Sequence, residues 1–348
     1  MRHQWAAAVL ALLVGPALGP AAEAPVVCRS PDGTLTIELA LRKDGPIDGV
    51  PHYRVRVGEA AVIGWSRLGV DLAGGESLGG PCEVTGIETR SVRDEYTQFP
   101  GKRRAVVGHA SEAIVRLRET TKPNRLWELV LRAYDDGVAF RYRFPAQNGW
   151  DNLLIAGERT EFRVPTDARV FALPLKGFTT SYESRYLVKP VGELPKDGLI
   201  GLPLLFERPG GGWAAITEAD VDEYAGLYLA PAGGDMFAAR LSPLPKEPKL
   251  AVSAALPHAS PWRVVMAADR AGRLIESDIV LNLSKPCALK DLSWIKPGKT
   301  TFPWWNGYVL DGVDFKPGQN TATHKHYIDF CATSGIEYHS LDGLDNIA

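Results

Sequence analysis

From Val26 to Cys287 the chain reads as one short strand after another, and this run constrains the fold more than any other feature. Residues 34–41 alternate through Leu35, Ile37, Leu39 and Leu41, and residues 52–57 do so through Tyr53, Val55 and Val57. A period of two turns one side of a strand towards a core. Residues 127–133 and 138–144 flank Asp135-Asp136-Gly137, a hairpin signal in which Gly137 is expected to supply a positive φ. Further strand-like runs lie at 114–118, 161–164, 213–217, 250–255 and 262–267. The chain has 35 Gly and 26 Pro among 348 residues, which favours turns over long helices. With almost no 3.6-residue periodicity, the expectation is a mainly β protein whose residues 25–287 form a large antiparallel β-super-sandwich.

The pattern changes near Lys285-Pro286-Cys287. Residues 300–305 read as a buried strand, and residues 306–319 as a Gly/Pro/Asp loop. Asn320 or Thr321 can cap a helix whose apolar face is Ala322, Tyr327, Ile328, Cys331 and Ala332, with Gly335 as its C-terminal cap. A second strand over 336–341 then ends at Asp342. Strand, helix and strand at this spacing make a βαβ unit, which needs a parallel sheet. Residues 288–348 are therefore expected to be the first unit of a (β/α)8 barrel, cut short at Ala348, because one unit cannot bury both faces of its strands.

Residues 1–24 have the layout of a signal peptide: basic Arg2 and His3, an apolar run from Trp5 to Leu18, then small residues to Ala24. The run is too short to span a bilayer, so no transmembrane segment and a periplasmic or secreted location are expected. A net charge of -2 leaves no basic footprint for nucleic acid. Export would permit two disulfides among Cys28, Cys82, Cys287 and Cys331, and free buried cysteines are an equal alternative. No C-x-x-C pair suggests zinc or redox chemistry.

Gly75-Glu76-Ser77-Leu78-Gly79 fits the nucleophile-elbow pattern, yet it precedes Gly80-Pro81 and not a helix, so a glycine-rich loop is expected. His324 and His326 are two apart on a helix and cannot chelate one metal together. The informative residues are Trp304, Trp305 and Asn306 at the end of the first barrel strand, and Asp342, followed by Asp345 and Asn346, at the end of the next. Indole faces stack on sugar rings, and Asn and Asp exchange hydrogen bonds with hydroxyls. The plainer alternatives are tryptophans in the core and an aspartate that caps a helix.

The segments S-W-I-K-P-G-K, W-W-N and Y-I-D-F-C-A-T-S-G-I-E-Y between Ser293 and Tyr338 resemble the start of the catalytic barrel in glycoside hydrolase family 97. Asp136–Tyr142, Ser181–Tyr186 and Thr217–Asp220 resemble its N-terminal super-sandwich. The resemblance implies an exported, exo-acting α-glucosidase or α-galactosidase that acts on oligosaccharides with a calcium ion. It also implies Glu183 as a calcium ligand, with Glu218 the weaker candidate, expected instead at the interface of sandwich and barrel. Trp304, Trp305, Asn306 and Asp342 would contact substrate, and the catalytic carboxylates would lie beyond residue 348. A non-catalytic carbohydrate-binding sandwich is the alternative. Epimerase chemistry, which pairs His and Glu on such a sandwich, is disfavoured because His52, His109 and His258 stand in unrelated contexts.

Overall fold

The computed structural model describes residues 24–99, 101–196 and 198–343. Residues 1–23 of the expected signal peptide, and Asp345 and Asn346, lie outside them. Among the described residues there are two compact units, one of 24–98 and 102–285, the other of 99, 101 and 286–343.

The first unit is mainly β and antiparallel. Cys82–Thr97, Ala105–Glu119, Leu126–Tyr134 and Gly137–Phe144 pair in succession as a meander. Gly137–Phe144 pairs on its other side with Trp262–Ala268, which pairs with Trp213–Ala219, and that with Leu199–Glu207. Val26–Arg29, Leu35–Asp44, Ile47–Val57 and Ala60–Arg67 form a second meander. Four short strands, Val252–Ala255, Asn152–Glu158, Val70–Leu72 and Ser77–Leu78, make a separate sheet.

Sequence alternation fades in the central strands because both of their faces are buried. Val115, Leu117, Leu129, Leu131, Phe140 and Tyr142 enter the main core with Tyr53, Phe162 and Phe206. The opposite parity, Ile114, Val130, Tyr134, Ala139 and Val264, forms a second apolar cluster. The short helix Ile279–Leu283 covers that cluster with Ile279 and Leu283, which are 0% and 4% exposed. Each such fully buried side chain stabilises the fold by about 1.5–3 kcal/mol. Sequence reading missed this helix and its neighbour Ala271–Glu276. At five and six residues they are too short to show a helical period.

The Asp135-Asp136 hairpin forms, with Gly137 opposite Tyr134, but Gly137 does not have a positive φ. Its reason is close approach: a Cβ there would lie 2.8 Å from Ile279 Cδ1 and 3.0 Å from the Val265 carbonyl oxygen. Gly137→Val is therefore expected to cost about 1–3 kcal/mol by overpacking. Thermal melts test this, and an unchanged midpoint would count against that contact.

All four cysteines are free, so neither permitted disulfide forms. Burial pushes the Cys28 thiol up to about 12 and the Cys82 thiol up to about 11. The Gly75–Gly79 motif is the turn of a tight hairpin between Val70–Leu72 and Ser77–Leu78, with no helix after it. Ser77 is thus not presented as a nucleophile.

Candidate functional site

In the second unit Thr300–Thr301 pairs in parallel with Tyr338–His339, and helix Thr321–Ser334 connects them. Asn320 caps the helix, its Oδ1 accepting from the Thr323 amide at 3.0 Å, and Gly335 closes it at φ 62. Both signals were legible. The strands are shorter than expected: two residues each replace the runs 300–305 and 336–341. Pro303 and Gly307 are the reason, since Pro303 opens a 3-10 turn over Pro303–Asn306 and Gly307 ends it at φ 66. The buried helix face is also rotated from the expected one. Thr323 and Cys331 are buried, whereas Ala322, Ile328 and Ala332 are exposed.

The turn lifts both tryptophans out of the core, leaving Trp304 54% and Trp305 80% exposed. Their rings meet edge to face at 6.5 Å, and Phe302 stacks behind Trp304 at 6.0 Å. Asn306 Nδ2 donates to the Tyr327 hydroxyl at 2.9 Å, and that hydroxyl donates to the Val309 carbonyl at 3.0 Å. The Tyr327 ring lies parallel to His339 at 5.8 Å. His339 Nε2 meets His324 Nδ1 at 3.0 Å, and its Nδ1 meets Thr301 Oγ1 at 2.8 Å. Burial, with His324 alongside, holds His339 below the usual imidazole range. This ring network fixes the base of the Trp304–Asn306 turn. Tyr327, His324 and His339 were missed as a group; the His-x-x-Tyr spacing, which sets two rings on one helix face, was the available signal.

Asp342 is exposed. Among the described residues, its carbonyl accepts from Gln319 Nε2 at 2.7 Å and its carboxylate from the adjacent Gly343 amide at 3.0 Å. Among the described residues no hydrogen bond joins it to the Trp304–Asn306 turn.

Glu183 belongs to the first unit, in the exposed loop between Arg169–Leu175 and Leu187–Pro190. Tyr182 and Tyr186 beside it are 49% and 54% exposed. Among the described residues there is no group of three His, Cys, Asp or Glu side chains able to hold a metal. Calcium takes about six to eight oxygen ligands. Glu183 alone does not make such a site.

The Glu218 carboxylate is engaged within the first unit. It accepts from Arg263 Nη1 at 2.8 Å and from the Leu227 amide at 3.0 Å. Arg263, with 0% side-chain exposure, also grips the equally buried Glu158 through Nε at 3.2 Å and through Nη2. Glu158 in turn accepts from Thr160 at 2.8 Å and Tyr224 at 3.0 Å. Burial pushes the Glu218 carboxyl above the usual range despite Arg263. One residue before Arg263, Trp262 is 1% exposed and lies between two guanidiniums, Arg132 at 4.9 Å and Arg141 at 4.3 Å from its ring.

The family described as Glycosyl-hydrolase 97 N-terminal matches residues 28–286. A retaining alpha-galactosidase of Bacteroides thetaiotaomicron is 29% identical over 340 residues, covering 90% of this chain and 49% of that protein. A probable retaining alpha-galactosidase of Streptomyces bingchenggensis is 27% identical over 347 residues, covering 96% of this chain and 50% of that protein. The chain thus spans about half the length of these curated relatives. Among solved structures, a glycoside hydrolase family 97 enzyme from Pseudoalteromonas sp. strain K8 in complex with acarbose aligns at TM-score 0.79 and 30% identity, over 90% of this chain and 46% of that one. A beta-arabinopyranosidase at 24% identity and TM-score 0.78 shares the fold.

Proposed function

The chain belongs to glycoside hydrolase family 97 through its N-terminal domain, and from that premise we propose that it is the sandwich and barrel start of an exported, exo-acting α-glycosidase. The substrates are terminal α-galactosides first and α-glucosides second. The observation that carries the reading is the family match over residues 28–286, followed directly by a helix-linked parallel strand pair that presents two exposed tryptophans. The names of both curated relatives favour galactosides and retention.

Retaining hydrolysis needs two carboxyl groups about 5–5.5 Å apart, one a nucleophile and one an acid that later serves as base. We place both outside the 348 residues, with Trp304, Trp305 and Asn306 binding the sugar and Asp342 supporting it. We assign Glu183 as one oxygen ligand of a calcium ion.

The test is a protein extended through the complete barrel, assayed on aryl α-galactosides and α-glucosides with and without a chelator. Proton NMR identifies the first-formed anomer. Release of the α-anomer of galactose, lost on chelation, is the expected result; no sugar release from either substrate would sink the reading. In that protein Trp305→Ala is expected to raise KM about two- to tenfold through lost ring contact, with its melting point unchanged because the ring is exposed. The 348-residue chain itself is expected to show no turnover.

A further inference from the structure

The sandwich holds a second chemically furnished cavity, about 560 Å³ in volume, at the joint of the Gly137–Phe144 strand, the His258–Ala259 strand and the loop after Ala219. Two of the family-like segments noted above converge on it, one bringing Arg141 and the other Asp220, 3.7 Å apart. That distance is too long for a hydrogen bond. Among the described residues the Arg141 side chain makes no hydrogen bond, and its Nε is buried without a protein partner. His258 Nε2, on the same cavity, is likewise buried without one. The His258 ring is fixed flat against Tyr224 at 6.1 Å, and the Arg141 guanidinium is fixed over Trp262 at 4.3 Å. Arg141 Nε and His258 Nε2 are thus two held polar atoms whose bonding capacity stays unused. The rim is strained as well: Asp220 and Glu223, neither a glycine, sit at φ 59 and φ 49.

We infer that this cavity is a binding site for a neutral saccharide. Glu128 is engaged by Arg143 at 2.8 Å and Asp222 by Lys285, so most of the charge on the walls is already balanced. Four carboxylates face three fixed cations, a net excess of one negative charge, which disfavours an inorganic anion. What remains is the free donor Arg141, the unpartnered His258 Nε2, and the acceptors Glu223 and Asp220, whose Oδ1 already accepts from the Lys285 amide at 3.2 Å. A sugar hydroxyl both donates and accepts, so it can satisfy both kinds at once. Pro257 gives the cavity an exposed apolar edge suited to the C–H face of a pyranose ring. Burial holds His258 below its usual range, so at neutral pH the ring is uncharged and can bond a hydroxyl in either direction.

The experiment uses the chain in a Trp304→Ala, Trp305→Ala background, which removes the other sugar platform. Saturation-transfer NMR and calorimetry would follow methyl α-D-galactopyranoside, maltose and inorganic phosphate. Arg141→Met keeps the stem over Trp262 without the donors, and His258→Phe keeps the stack on Tyr224 without the ring nitrogen. The expected result is millimolar binding of at least one sugar, weakened about tenfold by each variant, with the melting point unchanged in His258→Phe. Three outcomes would overturn the inference: neither sugar binds, sugar binding is untouched by both variants, or phosphate binds and the sugars do not.

Discussion

Replacing Arg263 with methionine is expected to cost about 3–5 kcal/mol of folding stability, because two buried carboxylates would lose their only common counter-ion. Glu158 and Arg263 have 0% side-chain exposure and Glu218 has 16%, so water cannot take over the role of the guanidinium. The pH dependence gives the variant a signature that lost packing alone would not. Glu218 already has its folded pKa raised by burial, and without Arg263 it rises further. In the window between the unfolded value, about 4.3, and the raised folded value, the native state binds the proton and the unfolded chain does not. Stability therefore falls as pH rises through that window and is greatest below it. Urea melts at several pH values would show the variant closest to the parent protein in acid. A deficit independent of pH would mean that the cluster is held by packing and not by charge.

The second large effect is expected at Trp262. Truncation to alanine removes a fully buried indole from the second apolar cluster, at a cost of about 3–5 kcal/mol. It also strips Arg132 and Arg141 of the ring face on which both lie, a contact worth about 0.5–2 kcal/mol for each guanidinium. A double-mutant cycle separates the two contributions. Arg141→Met should cost less in the Trp262→Ala protein than in the parent, because the ring contact is already gone. Strict additivity would mean that the guanidinium gains nothing from the ring.

Why some of this was legible in the sequence, and some was not, follows from how far each signal reaches along the chain. Leu35, Ile37 and Leu39 alternate because one side of their strand faces a core, and that is visible within a few residues. Asn320 and Gly335 bracket a helix by local backbone chemistry, so both ends were correctly placed. The Trp304–Trp305 strand was misjudged because an apolar run was weighed above Pro303 and Gly307, which dictate a turn. Arg263, Glu158, Glu218 and Tyr224 carry no local mark. Only the sheet brings them together, as it brings His258 beside Arg141. A reading by spacing alone therefore saw an isolated His258 where the fold builds a cavity.

The pairing of Gly137–Phe144 imposes an order in time. Its upstream neighbour, Leu126–Tyr134, is one two-residue turn away, whereas the neighbour on its other side, Trp262–Ala268, is made only after the rest of the sandwich has been synthesised. The early meander can zip by short loop closures, but its open edge waits for the late strand, and closure across so long a loop is slow. Until then Glu158 is a carboxylate in an unfinished core, since Arg263 arrives on that same late strand. The last strand of the sandwich thus both closes the sheet and neutralises its interior, so a nascent chain paused before it would expose a hydrogen-bonding edge and an unpaired charge together.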